Sequence, residues 1–144
     1  MRKLYIFDLD DTLYLGRASP RRRSEYEARL VPYLTKLHGD GHFLTVASSN
    51  CLAKKRLSEM GLLSLFHMII SDETISKAIM VQRIRDAFPS VKLEDVTYYD
   101  DDFENVLSVS AIGVKAVNVA PLTGVRMGKV DKIVEVEGSA YEIV

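Results

Sequence analysis

Short apolar runs of β-favouring residues alternate along this chain with stretches of helical periodicity, and that alternation restricts the fold more than any other feature. Leu4-Tyr5-Ile6-Phe7 reads as a buried strand stopped by acids. Residues 13–20 carry Gly16, Ser19 and Pro20 and read as a loop. Ser24 to His38 has apolar residues at helical spacing and stops at Gly39-Asp40-Gly41, with Pro32 a candidate kink. Strands are expected at 42–47, 66–70, 96–99 and 114–119, and helices at 52–60, 75–88 and 103–111. Val130 to Glu137 reads as a short edge strand. The expected fold is α/β: a doubly wound, mainly parallel five-stranded, Rossmann-like sheet with helices on both faces.

The chain has 144 residues, which suits one domain spanning 1–144. Net charge is −1, so bulk charge drives neither nucleic-acid nor membrane-surface binding. No apolar run reaches the ~20 residues of a membrane span. Asp8 and Asp10 break the first apolar stretch, against a signal peptide. The single cysteine, Cys51, excludes an internal disulfide and fits a reducing compartment, so a soluble cytoplasmic protein is expected. The cysteine and three scattered histidines form no zinc pattern.

In sheets of this kind the ligand site lies beyond the carboxyl ends of the strands. The first strand ends in Asp8-Leu9-Asp10-Asp11-Thr12, the second in Ser48-Ser49-Asn50 and the fourth in Asp100-Asp101-Asp102, while Lys77 falls near a helix start. Four carboxylates therefore meet at one rim: Asp8, Asp10, Asp100 and Asp101. Two unit charges ~4 Å apart repel by about 4 kcal/mol at an effective dielectric near 20. Such a group needs cations. Lys77 supplies one charge, and a hard divalent ion such as Mg²⁺ suits an all-oxygen site. Carboxylates with a lysine and a hydroxyl but no histidine suit phosphoryl transfer better than acyl transfer.

The segment Asp8-Leu9-Asp10-Asp11-Thr12 matches the DxDx(T/V) signature of the haloacid dehalogenase superfamily. Ser48, Lys77 and Asp100-Asp101-Asp102-Phe103-Glu104-Asn105 resemble its second, third and fourth motifs, in order. The Asp-Asp-x-x-x-Asn form is similar to that of its small magnesium-dependent phosphatases. The resemblance implies that Asp8 is the nucleophile forming an aspartyl-phosphate, and that Asp10 is the general acid and then base. It implies that Ser48, the Ser49 backbone N–H and Lys77 bind the phosphoryl group. It also implies that Mg²⁺ is held by Asp8, the Asp10 backbone carbonyl and Asp101, with Asp100 as outer-sphere support or alternative ligand and Asn105 supporting. Many relatives have Gly-Asp and a later Asp instead, which leaves Asp100 and Asp101 open as alternatives.

Caps in this superfamily enter between the first and second or the second and third motifs. A loop, a helix and a strand already fill the first interval here, and a helix and a strand fill the second. The resemblance therefore implies a capless, open site suited to bulky or macromolecular phosphoesters, with a small metabolite phosphatase or a non-catalytic metal- or phosphate-binding scaffold as alternatives. Phosphorylated molecules are the expected partners, nucleic acid enters only as substrate, and the sequence says nothing of oligomeric state.

Plainer roles exist for the same residues. Ser48 or Ser49 suits a helix N-cap, and Lys77 alone reads as a solvated lysine. Arg21-Arg22-Arg23 fits either substrate steering or a solvated helix start, and Lys54-Lys55-Arg56 a solvated face. Cys51 is expected to be small-residue packing, buried or half-buried, and His38, His42 and His67 structural or superficial.

Overall fold

A computed structural model describes residues 1–127, 132–136 and 139–143. The parallel strands are β1 (Leu4–Phe7), β2 (Phe43–Ser48), β3 (Met68–Ser71), β4 (Val96–Asp100) and β5 (Lys115–Asn118). They stand in the order β3-β2-β1-β4-β5, each in parallel register with its neighbour. This is the expected five-stranded parallel α/β sheet. Two further strands, β6 (Lys132–Val136) and β7 (Ser139–Ile143), extend it beyond β5. β7 pairs parallel with β5, and β6 pairs antiparallel with β7 at the edge. The edge strand expected over 130–137 is thus β6, although Val130 and Glu137 themselves lie outside the described residues.

Helices α1 (Pro20–Gly39) and α2 (Ala53–Glu59) cover one face, and α3 (Lys77–Ala87) and α4 (Phe103–Ser110) the other. Strand periodicity divides the core accordingly. Leu4 and Ile6 of β1 and Val96 and Tyr98 of β4 pack with Met80, Val81 and Ile84 of α3. Phe7 points the other way and packs with Tyr26, Leu30 and Leu34 of α1. Both faces of β1 are covered, which is why its sequence is a continuous apolar run. β1 lies between β2 and β4, where the winding of the chain reverses. The crevice beyond the carboxyl ends of β1 and β4 is the topological switch point, the ligand position of such sheets.

α1 begins four residues before the expected start. Ser19 caps it by accepting from the Arg22 N–H, and Pro20 opens it. The charged Arg21-Arg22-Arg23 turn carries no apolar periodicity, so it does not read as helix. The helix runs on through Pro32 to Gly39. The segments joining Asp8 to Ser48 and Ser48 to Lys77 contain only these helices, strands and short loops, with no inserted cap. No helix among the described residues is long and apolar enough to cross a membrane.

Candidate active site

Asp8 directly follows β1, and its N–H donates to the Tyr99 carbonyl of β4 (2.8 Å), which stitches the two strand ends together. Its side chain is buried, with Oδ1 accepting from Lys77 Nζ at 2.6 Å and Oδ2 from Thr12 Oγ1 at 3.3 Å. Lys77 is the first residue of α3, behind the N-cap Ser76, and is itself 8% exposed. A cation in the first turn opposes the helix dipole. The opposing pull comes from Asp8 and from Asp100, whose Oδ2 lies 3.4 Å from the same ammonium.

The three consecutive aspartates after β4 have three different environments. Asp100 is 1% exposed and both its oxygens are engaged. Oδ1 accepts from the Asp102 N–H, and Oδ2 from Lys77, Asn105 Nδ2 (3.1 Å) and the Tyr98 hydroxyl. Asp102 is the N-cap of α4, accepting from the Glu104 N–H. Asp101 turns toward Asp8, with Arg17 Nη2 4.0 Å from its Oδ2. Asn118 of β5 donates to the carbonyls of Asp100 and Asp101 and fixes the backbone between them.

Asp8, Asp100 and Asp101 each offer a ligand oxygen within 4.8 Å of the others. Burial pushes the Asp8 carboxyl up to about 8; the Lys77 charge opposes this and Asp100 adds to it. Burial also raises Asp101. Lys77 is raised as well: burial alone would lower it, but the two carboxylates outweigh that effect. One buried ammonium, with the exposed Arg17 guanidinium at the margin, thus faces three clustered carboxylates, and the interior of the site is short of positive charge. A hard divalent cation fits this all-oxygen set. Asp100 is the most heavily engaged of the three, with four donors on its two oxygens, and Asp8 and Asp101 are the less occupied candidates to hold the cation.

Asp10 stands apart from this trio. It is exposed, its Oδ2 accepts from Asn50 Nδ2 at 3.2 Å, and its backbone bridges to Tyr14. Asp11, between them, adopts the left-handed conformation (φ 60°), which lets the chain double back directly after the strand. Asp11 binds Arg17 twice, through the backbone N–H and through Nε at 2.9 Å. Ser48 is buried at the end of β2, where its Oγ accepts from the Asn50 N–H, and Ser49 beside it is exposed.

Two expectations need correction. Neither Ser48 nor Ser49 caps α2, whose N-cap is Leu52; the polar turn is closed instead by Asn50, which accepts from the Leu52 N–H. Cys51 is exposed, not buried or half-buried, because the turn ahead of α2 stands out at the rim. The histidines are structural or superficial as expected: His42 and His67 accept from the N–H groups of Lys3 and Leu44, and His38 is exposed. Sequence reasoning assigned no role to Thr12, Arg17, Asn50 or Tyr98. Thr12 and Asn50 lie inside the quoted strand-end segments, so their position was visible. Arg17 and Tyr98 had no such signal.

No protein-family model and no curated protein matches the chain. Solved structures do match it. A Bacteroides fragilis protein fragment containing a phosphatase domain, complexed with Mg, is 18% identical over 85% of this chain and 38% of that one, with a TM-score of 0.63. A haloacid dehalogenase-like hydrolase from Streptococcus pneumoniae is 13% identical, covering 85% of this chain and 87% of that one, with a TM-score of 0.61. A haloacid dehalogenase-superfamily hydrolase from Geobacter sulfurreducens is 16% identical, covering 82% and 89%, with a TM-score of 0.58. The chain has the Rossmann-like fold of the haloacid dehalogenase superfamily, the fold its four motifs imply.

Proposed function

We propose that this protein is a phosphomonoester hydrolase of the haloacid dehalogenase type, with Asp8 as nucleophile and Asp10 as general acid and base. The observation that carries the reading is the contrast between the two carboxylates. Asp8 is buried against Lys77 and beside Asp101, whereas Asp10 is exposed and held only by Asn50. The buried carboxylate held by Lys77 suits the group that meets phosphorus, and the exposed one, free to reach a leaving oxygen at the rim, suits the proton carrier.

A Mg²⁺ held by Asp8, Asp101 and the Asp10 backbone carbonyl would supply the positive charge that offsets the clustered carboxylates and the incoming phosphate. The chain's own groups do the rest. An Asp8 oxygen attacks phosphorus as the bond to the ester oxygen breaks, and Asp10 gives its proton to the departing alcohol. Asp10, now a carboxylate, takes a proton from water. That water attacks phosphorus, releases inorganic phosphate and restores both carboxyl groups. The Ser48 hydroxyl, the Ser49 N–H and Lys77 hold the phosphoryl oxygens. Asp100, itself held by Asn105 and Tyr98, acts through Lys77, which it orients. With no cap inserted in the chain, the site is open enough for bulky or macromolecular esters.

The test is hydrolysis of p-nitrophenyl phosphate and a panel of phosphomonoesters, phosphopeptides and phosphate-ended oligonucleotides, with Mg²⁺ and with chelator. Magnesium-dependent release of phosphate is expected. Absence of turnover on every substrate, with Mg²⁺ binding intact, would favour the non-catalytic scaffold instead.

A further inference from the structure

We propose that the groove leading away from Asp10 binds a second anionic group, a carboxylate or a phosphate, carried on the alcohol portion of the substrate. The direction of the groove takes its meaning from the phosphatase reading. Asp10 protonates the leaving oxygen there, so the alcohol must lie on the Asp10 side of the site. Asn50, which holds Asp10 Oδ2, is also the first wall of a groove of about 170 Å³ completed by Leu52, Lys55, Arg56 and Glu59. A second groove, of about 350 Å³, meets it at Arg56 and Glu59 and is walled by Tyr14, Arg23 and Glu27. The track therefore runs outward from the catalytic acid toward two arginines.

Arg56 is prepared to receive an anion. Its guanidinium carbon stands 4.0 Å from the centre of the Tyr14 ring, and Tyr14 is itself held by Arg23 Nη1, which donates to the phenol oxygen at 2.6 Å. Stacking fixes the plane of a guanidinium while leaving its N–H edge available, so little freedom is lost when it forks onto a carboxylate or phosphate. The carboxylate it has nearby, Glu59, is 3.8 Å away, and both side chains are substantially solvated. A pair of that kind contributes little and yields to a better partner. Lys55 lines the same groove, and its ammonium makes no hydrogen bond or ion pair with another described residue. Lys55 and Arg56 against Glu59 leave the inner groove with an excess of positive charge. Exposed Leu52 gives it an apolar side suited to a short carbon chain between two anions.

Binding of non-hydrolysable phosphonates tests this without requiring turnover. Calorimetry with Mg²⁺ would compare propylphosphonate with 4-phosphonobutyrate and 1,3-propanediphosphonate, the last two differing only in which anion they carry at the far end of the same three-carbon chain. One or both of the charged-tail ligands is expected to bind about tenfold more tightly than propylphosphonate. Whichever does so identifies the anion. The advantage should fall several-fold in Lys55→Gln and disappear in Arg56→Gln, while Arg56→Lys retains part of it. Equal affinity of all three ligands for the wild-type protein would overturn the proposal. So would an advantage that survives in both glutamine variants, with folding of each verified by its melting curve. Tail-dependent binding without phosphate release would leave this site standing and count against the hydrolase reading alone.

Discussion

The Lys77 ammonium lies 2.6 Å from Asp8 Oδ1, although 69 positions separate the two residues in the chain. The first strand and the third helix are brought together so that a buried cation meets a buried carboxylate. Replacing Lys77 by methionine keeps the length of the side chain and removes the charge. The loss of one partner from a buried pair costs about 3–5 kcal/mol, so urea unfolding of the metal-free variant should show a destabilisation of that size. A loss below about 1 kcal/mol, the value of an exposed pair, would mean that the contact does not support the fold.

Asp8→Asn should lower kcat by more than about a thousandfold. It should leave a folded protein, because it neutralises one of three clustered carboxylates and Lys77 still has Asp100. Circular dichroism and a phosphate-release assay on the same preparation check both halves. Near-normal turnover would remove the assigned nucleophile.

Mg²⁺ should raise the melting temperature, because it binds the folded carboxylate cluster and not the unfolded chain. At a free concentration a hundredfold above Kd the gain is about 2.7 kcal/mol. Asp101→Asn should lose most of this shift. An undiminished shift in that variant would place the ion elsewhere.

Tyr26 ties the loop after β1 to the turn before the C-terminal strands. Its hydroxyl donates to the Thr12 carbonyl and accepts from the Val125 N–H, both at 2.9 Å. Tyr26→Phe leaves both backbone groups without that partner and should cost about 1–3 kcal/mol. Gly124→Ala should also destabilise: its φ is +74°, and an added Cβ would fall 2.4 Å from the ring. Burial holds the Tyr26 hydroxyl well above the ordinary tyrosine range, with the Val125 N–H opposing. The unfolded chain therefore ionises first, near pH ~10. The stabilisation is complete below that pH and is lost as pH rises above it. Denaturant titrations from pH 8 to 11 should show this decline, and a shallower one in Tyr26→Phe.

The sheet and the meeting of acids at its rim were legible in the sequence for a physical reason. Strands covered on both faces are unbroken apolar runs, and Leu4–Phe7 ends abruptly at Asp8. What the sequence concealed lies where local pattern carries no signal. The first turn of α1 is three arginines with no apolar residue to set a period. β7 has no counterpart among the expected strands. The triple aspartate could not be sorted by sequence, because what distinguishes Asp100 from Asp101 is contact with distant groups. Tyr98, Lys77 and Asn105 occupy Asp100, while Asp101 is left facing Asp8. The support given to Arg56 by Tyr14 is equally a product of folding.

The covalent step can be isolated by separating the two tasks of Asp10. p-Nitrophenolate leaves without needing a proton, so the Asp10→Asn protein should still transfer the phosphoryl group to Asp8 and then fail to activate water. Mixing it with p-nitrophenyl phosphate and Mg²⁺ should give a burst of about one nitrophenolate per active protein, with mass spectrometry of the quenched sample finding one phosphoryl group on the peptide containing Asp8. A protein that releases nitrophenolate steadily with no phosphoryl group on Asp8, or carries it on another residue, would contradict the account.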